Sequence, residues 1–128
     1  MENVLTHGEL ITHVDVPLPS AGLRARYVKI RDRASYEFAL VSAVAALRIE
    51  EGAIREARLA LGGVGTVPWR ARAVEDLLRG RQADEENFRA AAEVPLRDPY
   101  TVPGTEFKVE LARRVIVHAL RNVSGAQA

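Results

Sequence analysis

The sequence predicts an α+β fold, in which an antiparallel sheet of three to four strands is covered on one face by about three helices. In the first half of the 128 residues, apolar and polar side chains alternate along short segments, which is typical of strands with one buried face. In the second half, apolar residues recur at helical spacing. Because the strands precede the helices, the helices are expected to cover one sheet face and leave the other open.

Four segments of the first half are predicted to be strands. They are residues 9–16 (Glu9 to Val16), 24–31, 38–49 and 54–61. Pro17 and Pro19 end the first strand, since proline cannot donate to a strand ladder. Residues 50–53, Glu-Glu-Gly-Ala, favour a hairpin turn between the last two strands.

Three helices are predicted in the second half. Pro68 suits the first turn of the first helix, and Gly80 ends it. Asp84 is predicted to cap the second helix and Thr105 the third. Prolines make residues 94–104 an extended connector. The apolar positions of the three helices are Val74, Leu77, Leu78, Phe88, Ala91, Ala92, Phe107, Leu111, Ala112, Val115, Ile116, Ala119 and Leu120.

A glycine-rich segment, residues 62–65, lies between a predicted strand and a predicted helix, where a dinucleotide-binding loop would lie. The spacing does not fit, because counting from Gly63 puts Pro68 at the third glycine position of G-x-G-x-x-G. The preceding unit is also a hairpin instead of a parallel βαβ unit. We therefore expect a tight turn that uses positive φ angles. Trp69 is expected to be a packing anchor at the helix start.

Composition excludes several kinds of site on this chain. The absence of cysteine excludes disulfides, iron–sulfur clusters and thiolate zinc sites. The net charge is +1 with both signs interleaved, so no nucleic-acid or membrane surface is expected. The three histidines lack metal-ligand spacing, and no serine lies in a G-x-S-x-G motif, so no metal site and no catalytic residue is predicted. With no signal peptide visible in residues 1–20, a cytoplasmic protein is expected.

Lys29 is the residue for which a functional role competes most evenly with an ordinary structural one. The chain has 16 arginines but only two lysines, Lys29 and Lys108. Alternation along the second strand puts Lys29 on the same face as Tyr27 and Arg31, the face expected to stay open. A strand lysine is usually a solvated edge residue. A cation beside an aromatic ring on an open face can also approach an electron-rich ring such as reduced flavin, which carries negative charge near N1 and the C2 carbonyl.

Several motifs in order resemble the C-terminal domain of the FAD-binding, medium subunit of molybdenum hydroxylases, the group of xanthine, carbon monoxide and aldehyde dehydrogenases. The matching segments, spread from Gly8 to about Asn122, are Gly-Glu-Leu-Ile at 8–11, Val-Asp-Val-Pro at 14–17, residues 29–35, 39–42, 59–64 and 68–71, and Phe107 to Arg114. Residues 59–64 and 68–71, which form one signature, and the 107–114 motif are most similar to the aldehyde oxidoreductase branch.

The resemblance implies a place within a larger enzyme. In that family, FAD lies between an N-terminal FAD-binding domain and this C-terminal domain, and partner subunits carry iron–sulfur clusters and molybdopterin. Two positions of the C-terminal domain commonly touch FAD, and they fall on Ile11 and Lys29. Residues 1–128 would then be a single domain that works only with the N-terminal FAD-binding domain, which is absent from this chain. The complete assembly would be an FAD-containing oxidoreductase, and the isolated domain could self-associate.

A second hypothesis belongs to a different class: a stand-alone structural or interaction module without flavin function. A third possibility, an independent hydrolase, has no group of residues to support it. The substrate of the assembly belongs to another subunit and cannot be deduced from this chain.

Overall fold

A four-stranded antiparallel sheet forms the first layer of the structure, a computed structural model that describes residues 4–125. The strands are β1 (Arg24–Ile30), β2 (Val41–Glu50), β3 (Ala53–Gly62) and β4 (Trp69–Arg70). Each strand pairs with the next one in the chain, in the order β1-β2-β3-β4. The short connections of this meander follow from the antiparallel pairing, which needs no crossover.

The β2–β3 hairpin is the turn that the sequence predicts. Glu50 pairs with Ala53, and the two residues between them have positive φ angles, 51° at Glu51 and 78° at Gly52. Such two-residue turns match the right-handed twist of the strands they join.

Three helices cover one face of the sheet. They are α1 (Arg72–Leu78), α2 (Glu85–Glu93) and α3 (Phe107–Ser124). Helix α3 packs on β1 and β2, α1 packs on β3, and α2 packs on α3. Asp84 caps α2 as predicted, because its carboxylate accepts a hydrogen bond from the Asn87 N–H at 2.8 Å. Within residues 4–125, no helix combines the length and hydrophobicity needed to span a bilayer.

The hydrophobic core lies between the sheet and the helices. Alternate residues of β2 and β3 point into it, and Phe88 of α2 is fully buried there. The main buried side chains are Val41, Ala43, Ala45, Leu47, Ile54, Leu59, Leu61, Val74, Leu78, Phe88, Ile116 and Leu120. The predicted α+β class and the one-sided helical cover are therefore confirmed.

The predicted strand at residues 9–16 is wrong. These residues have no regular secondary structure and pair with no strand in the described part of the chain, and they are exposed. Leu10, Val14 and Val16 are each more than three-quarters exposed. Their alternation predicts a buried face, but a strand forms only where another strand edge can pair with it. Residues 4–20, called the arm below, therefore have apolar side chains that the rest of the described chain does not cover.

Three further boundaries differ from the prediction. Pro68 precedes β4 instead of opening a helix, because the backbone of Trp69 and Arg70 pairs with β3 before α1 begins. Trp69 is 43% exposed, so it does not anchor the core. The hydroxyl of Thr105 donates to the Val102 carbonyl instead of capping α3, whose N-cap position is Glu106. The third predicted strand begins three residues later, at Val41, and the connector after α2 starts with a 3-10 turn at Val94–Leu96.

The glycine-rich segment has the predicted positive φ angle at Gly63, but it leads from β3 to β4 instead of from a strand to a helix. Gly63 has a φ angle of 75°, and a Cβ atom there would lie 2.8 Å from the carbonyl oxygens of Ala39 and Leu40. Because Gly63 has no side chain, the chain can leave β3 in close contact with the backbone that precedes β2.

Candidate functional site

The candidate site is the sheet face that no described helix covers, called the open face below. In an antiparallel pair, directly opposite residues project from the same face. The register places Lys29 opposite Ser42 and Ser42 opposite Gly62. The open face is formed by Ala25, Tyr27, Lys29, Ser42, Val44, Ala46, Arg48, Glu56, Arg58, Ala60, Gly62 and Arg70.

Small side chains form the floor of the open face, and longer ones form its rim. The side chains of Ser42, Ala46 and Gly62 are small and project little from the central strands. Val44 at the centre is 39% exposed, and Tyr27 directly opposite it is 64% exposed. Exposed apolar surface rimmed by polar groups often marks a binding site.

The four cations of the open face differ in their partners. Arg48 pairs with Glu50 and Glu56. Arg58 pairs with Glu56 at 2.8 Å, and Arg70 pairs with Glu75 at 2.9 Å. Lys29, although exposed, makes neither a hydrogen bond nor an ion pair with any other residue of the 4–125 stretch. The Lys29 ammonium is therefore available to a ligand or partner.

Glu75 fixes Arg70 at the edge of the open face. It is 5% exposed, and its carboxylate accepts hydrogen bonds from Arg70 Nε and Nη2, both at 2.9 Å, and from the Leu59 N–H at 3.1 Å. Burial raises the pKa of this carboxyl. The hydrogen bonds from Arg70 and Leu59 and the charges of Arg70 and Arg58 outweigh burial and hold the pKa below its usual value. Glu75 thereby joins α1, β3 and β4 through one ionised side chain.

Gly62 leaves room for the hydroxyl of Ser42. A Cβ atom built at Gly62 would lie 2.7 Å from Ser42 Oγ, closer than carbon and oxygen atoms approach. Gly62 does not have a positive φ angle, so its backbone conformation tolerates alanine. The hydroxyl of Ser42 thus leans across β3, over the position that Gly62 keeps empty.

Gly62→Ala is expected to destabilise the chain by about 1–3 kcal/mol, because overpacking forces side chains and backbone to shift. In a Ser42→Ala background the same substitution should cost much less, since the colliding oxygen is gone. Urea unfolding of the two single variants and the double variant gives the coupling energy. Additive effects would show that the hydroxyl does not lie over Gly62.

The structure does not bring the two predicted cofactor-contacting residues together. Lys29 lies on β1, on the open face, as the sequence indicates. Ile11 lies in the arm and is 63% exposed, and no hydrogen bond or strand pairing joins residues 9–16 to β1 in the described part of the chain.

The remaining features of the open face were not predicted. Ser42 is the one polar residue within the otherwise apolar stretch from Ala39 to Leu47, a signal that the sequence does contain. The Arg70–Glu75 pair carries no sequence signal, because it forms only when β4 and α1 meet beside β3. In the described residues, no group of three or more His, Asp or Glu side chains is placed to hold a metal ion.

Most aromatic residues of the chain lie on its surface. Of the seven, only Phe88 is buried. The other six, each exposed by 43% or more, are Tyr27, Tyr36, Phe38, Trp69, Tyr100 and Phe107. Aromatic side chains are enriched where one protein surface covers another. Their exposure indicates that this chain has surfaces built for contact.

Comparison with known proteins places the chain in a family. It belongs to the family described as the CO dehydrogenase flavoprotein C-terminal domain, whose model matches residues 26–123. The predicted family resemblance is therefore confirmed.

Two curated relatives extend this assignment. The chain is 40% identical over 121 residues to the aldehyde oxidoreductase FAD-binding subunit PaoB of Escherichia coli K12, a match that covers 94% of this chain and 34% of PaoB. It is 34% identical over 79 residues to the glyceraldehyde dehydrogenase medium chain of Sulfolobus acidocaldarius, covering 62% of this chain and 27% of that one. The chain thus spans about a third or less of the relatives it matches.

Solved structures show the same fold. Quinoline 2-oxidoreductase of Pseudomonas putida 86 matches with a TM-score of 0.76 and 26% identity. Carbon monoxide dehydrogenase of Hydrogenophaga pseudoflava matches with a TM-score of 0.77 and 25% identity. Each match covers 88% of this chain and 40% of the other chain.

Proposed function

We propose that residues 1–128 form the C-terminal domain of an FAD-binding medium subunit, and that the open face covers a flavin held mainly by an N-terminal FAD-binding domain. The observation that carries this proposal is the open face itself, with its floor of small side chains and the unpartnered ammonium of Lys29. The similarity to the FAD-binding subunit PaoB supports it.

The residues of the open face fit a flavin. A planar ring can rest against a floor of small side chains, and Val44 and Tyr27 offer apolar contact. FAD supplies reversible electron transfer when it is bound, and the protein tunes it with charges near the ring. Lys29 would contribute a positive charge where reduction of the ring adds negative charge. No group on the open face is arranged for acid–base or nucleophilic chemistry, so the domain's contribution is to bind and to tune.

The proposal also gives the arm a role. Its apolar side chains are exposed, and the family match begins only at residue 26. The similarity to PaoB covers more of the chain than residues 26–123 and so includes part of the arm. We propose that the arm lies against the FAD-binding domain, with Ile11 at the cofactor.

The larger enzyme is proposed to be an oxidoreductase of the molybdenum-hydroxylase class, with iron–sulfur and molybdopterin partner subunits. The exposed aromatic side chains suit contacts with such partners and, in the isolated chain, with a second copy. A cytoplasmic location, expected from the sequence, stays a prediction.

The isolated chain should not retain FAD through desalting. Ile11 and Lys29 offer too few contacts to replace a phosphate-binding domain, and each 1.4 kcal/mol lost is about a tenfold loss of affinity. The measurement is the flavin absorbance per chain after incubation with excess FAD and gel filtration. Stoichiometric flavin in the protein fraction would contradict this expectation.

The proposed function is tested in a hybrid subunit, defined as E. coli PaoB in which the stretch matching this chain is replaced by this chain. The hybrid subunit should retain close to one FAD per polypeptide. PaoB that lacks the stretch altogether is the control and should retain much less. A well-folded hybrid subunit with no more FAD than the control would contradict the proposal.

A further inference from the structure

Ser42 is a buried polar residue whose hydroxyl has no partner in the structure. It lies in the middle of the sheet with 6% of its surface exposed. Its hydroxyl forms no hydrogen bond with any residue between 4 and 125. Its neighbours on β2, Val41 and Ala43, point into the core, so Ser42 belongs to the opposite, open face.

Such a hydroxyl is unusual in a folded protein, because most buried side-chain polar atoms have a hydrogen-bond partner. Burial costs the Ser42 hydroxyl some of its hydrogen bonding to water, and an alanine at this position would avoid that cost. Among the described residues, the fully enclosed polar side-chain atom that lacks a hydrogen-bond partner is Arg48 Nε. Since Ser42 Oγ is not fully enclosed, the hydroxyl keeps an opening towards the open face.

The surroundings of the Ser42 hydroxyl direct it towards a ligand. It leans over Gly62, where any side chain would collide with it. On its other side is Lys29, directly opposite across the β1–β2 pair, whose ammonium is also unpartnered. Two unpartnered polar groups on neighbouring strands therefore face the same patch of the open face.

We propose that Ser42 is a second polar contact of the flavin-covering site: its hydroxyl hydrogen-bonds to the polar edge of the ring beside Lys29. The inference rests on the proposed function and adds a specific positioning residue to it. A hydroxyl can both donate and accept, so it can serve a ring edge that carries both kinds of group, which a lysine alone cannot do. Lys29 would place a positive charge beside the ring, and the hydrogen bond from Ser42 would fix the orientation of the ring.

The test is Ser42→Ala in two settings. In the hybrid subunit, the FAD dissociation constant should rise about three- to tenfold, the usual loss for one neutral hydrogen bond. In the isolated chain, which has no FAD, the melting temperature should stay the same or rise, because an unpartnered buried hydroxyl has been removed. A ligand contact predicts weaker FAD binding without a loss of stability, whereas a structural role predicts a lower melting temperature of the isolated chain.

Ser124→Ala is the matched control. Its hydroxyl donates to the Arg121 carbonyl at the end of α3, away from the sheet, so the dissociation constant of FAD should not change. An unchanged FAD affinity in Ser42→Ala, or a fall in affinity accompanied by a lower melting temperature of the isolated chain, would overturn the inference. Loss of FAD by the unmutated hybrid subunit would instead overturn the proposed function, and the inference with it.

Discussion

Lys29→Met in the hybrid subunit is expected to weaken FAD binding about 10- to 100-fold while leaving the fold intact. A hydrogen bond to a charged group contributes roughly 1.5–3 kcal/mol, which corresponds to that range of affinity. Lys29 is exposed and makes no hydrogen bond or ion pair with the described part of the chain, so removal of its charge should change stability by less than about 0.5 kcal/mol. The flavin reduction potential should also fall, because the cation stabilises the more negative, reduced ring. The measurements are FAD titration, redox titration and thermal melting.

Lys108→Met is the matched control, since Lys108 is the only other lysine of the chain. Its ammonium donates to the Gly63 carbonyl at 2.9 Å, so it has a structural partner and does not belong to the open face. Its loss should lower stability slightly and leave FAD affinity and potential unchanged. If both variants behaved alike, or if Lys29→Met left affinity and potential unaltered, Lys29 would be an ordinary solvated strand residue.

Glu75→Ala is expected to destabilise the chain by about 2–4 kcal/mol, because it removes charge-assisted hydrogen bonds and leaves the buried Leu59 N–H unpaired. Asp76→Ala changes the neighbouring carboxylate on α1, whose side chain is 70% exposed and pairs only with Arg79 among the described residues. That exposed pair should contribute less than about 1 kcal/mol. Urea unfolding compares the two variants. Equal effects would show that Glu75 is no more important than a surface carboxylate.

The contribution of Glu75 should also depend on pH in a defined direction. Its pKa is lower in the folded chain than in the unfolded chain, so the unfolded state binds a proton first as the pH falls. The stabilisation is fully present above the unfolded pKa of roughly 4.3 and is lost as the pH falls towards the lower folded value. The difference in melting temperature between the wild type and Glu75→Gln should therefore be largest near pH 7 and shrink below about pH 4. A difference that grew in acid would contradict this assignment.

The sequence correctly predicted the parts of the fold that depend on interactions between neighbouring residues. The alternation in β1 and β3, the β-rich run of β2, the turn at Glu51–Gly52 and the cap at Asp84 each depend on residues close in the sequence. The arm shows where this reasoning fails. Alternation of apolar and polar residues indicates that a segment has one apolar face. It does not indicate whether the surface that covers this face belongs to the same chain. Pro68 likewise fits either a helix start or the residue before an edge strand, and only the pairing of β4 with β3 decides between them.

The sequence likewise predicted only part of the candidate site. The face of Lys29 follows from the period of a strand, and the openness of that face follows from the number of helices available to cover the sheet. The lack of a partner for Lys29 could not be predicted, because it depends on where every carboxylate of the fold lies. The same holds for Ser42 and Gly62, whose side-by-side placement requires the register between β2 and β3.

The central claim, that the open face covers the flavin, is tested most directly by the reactivity of the two lysines. Lys29 is exposed and Lys108 is half-buried in the structure, so an amine-reactive reagent and mass spectrometry can follow each one separately. In the hybrid subunit, FAD should slow the labelling of Lys29 several-fold relative to the FAD-free form, while the labelling of Lys108 stays unchanged. Labelling of Lys29 at the same rate with and without FAD would contradict the account.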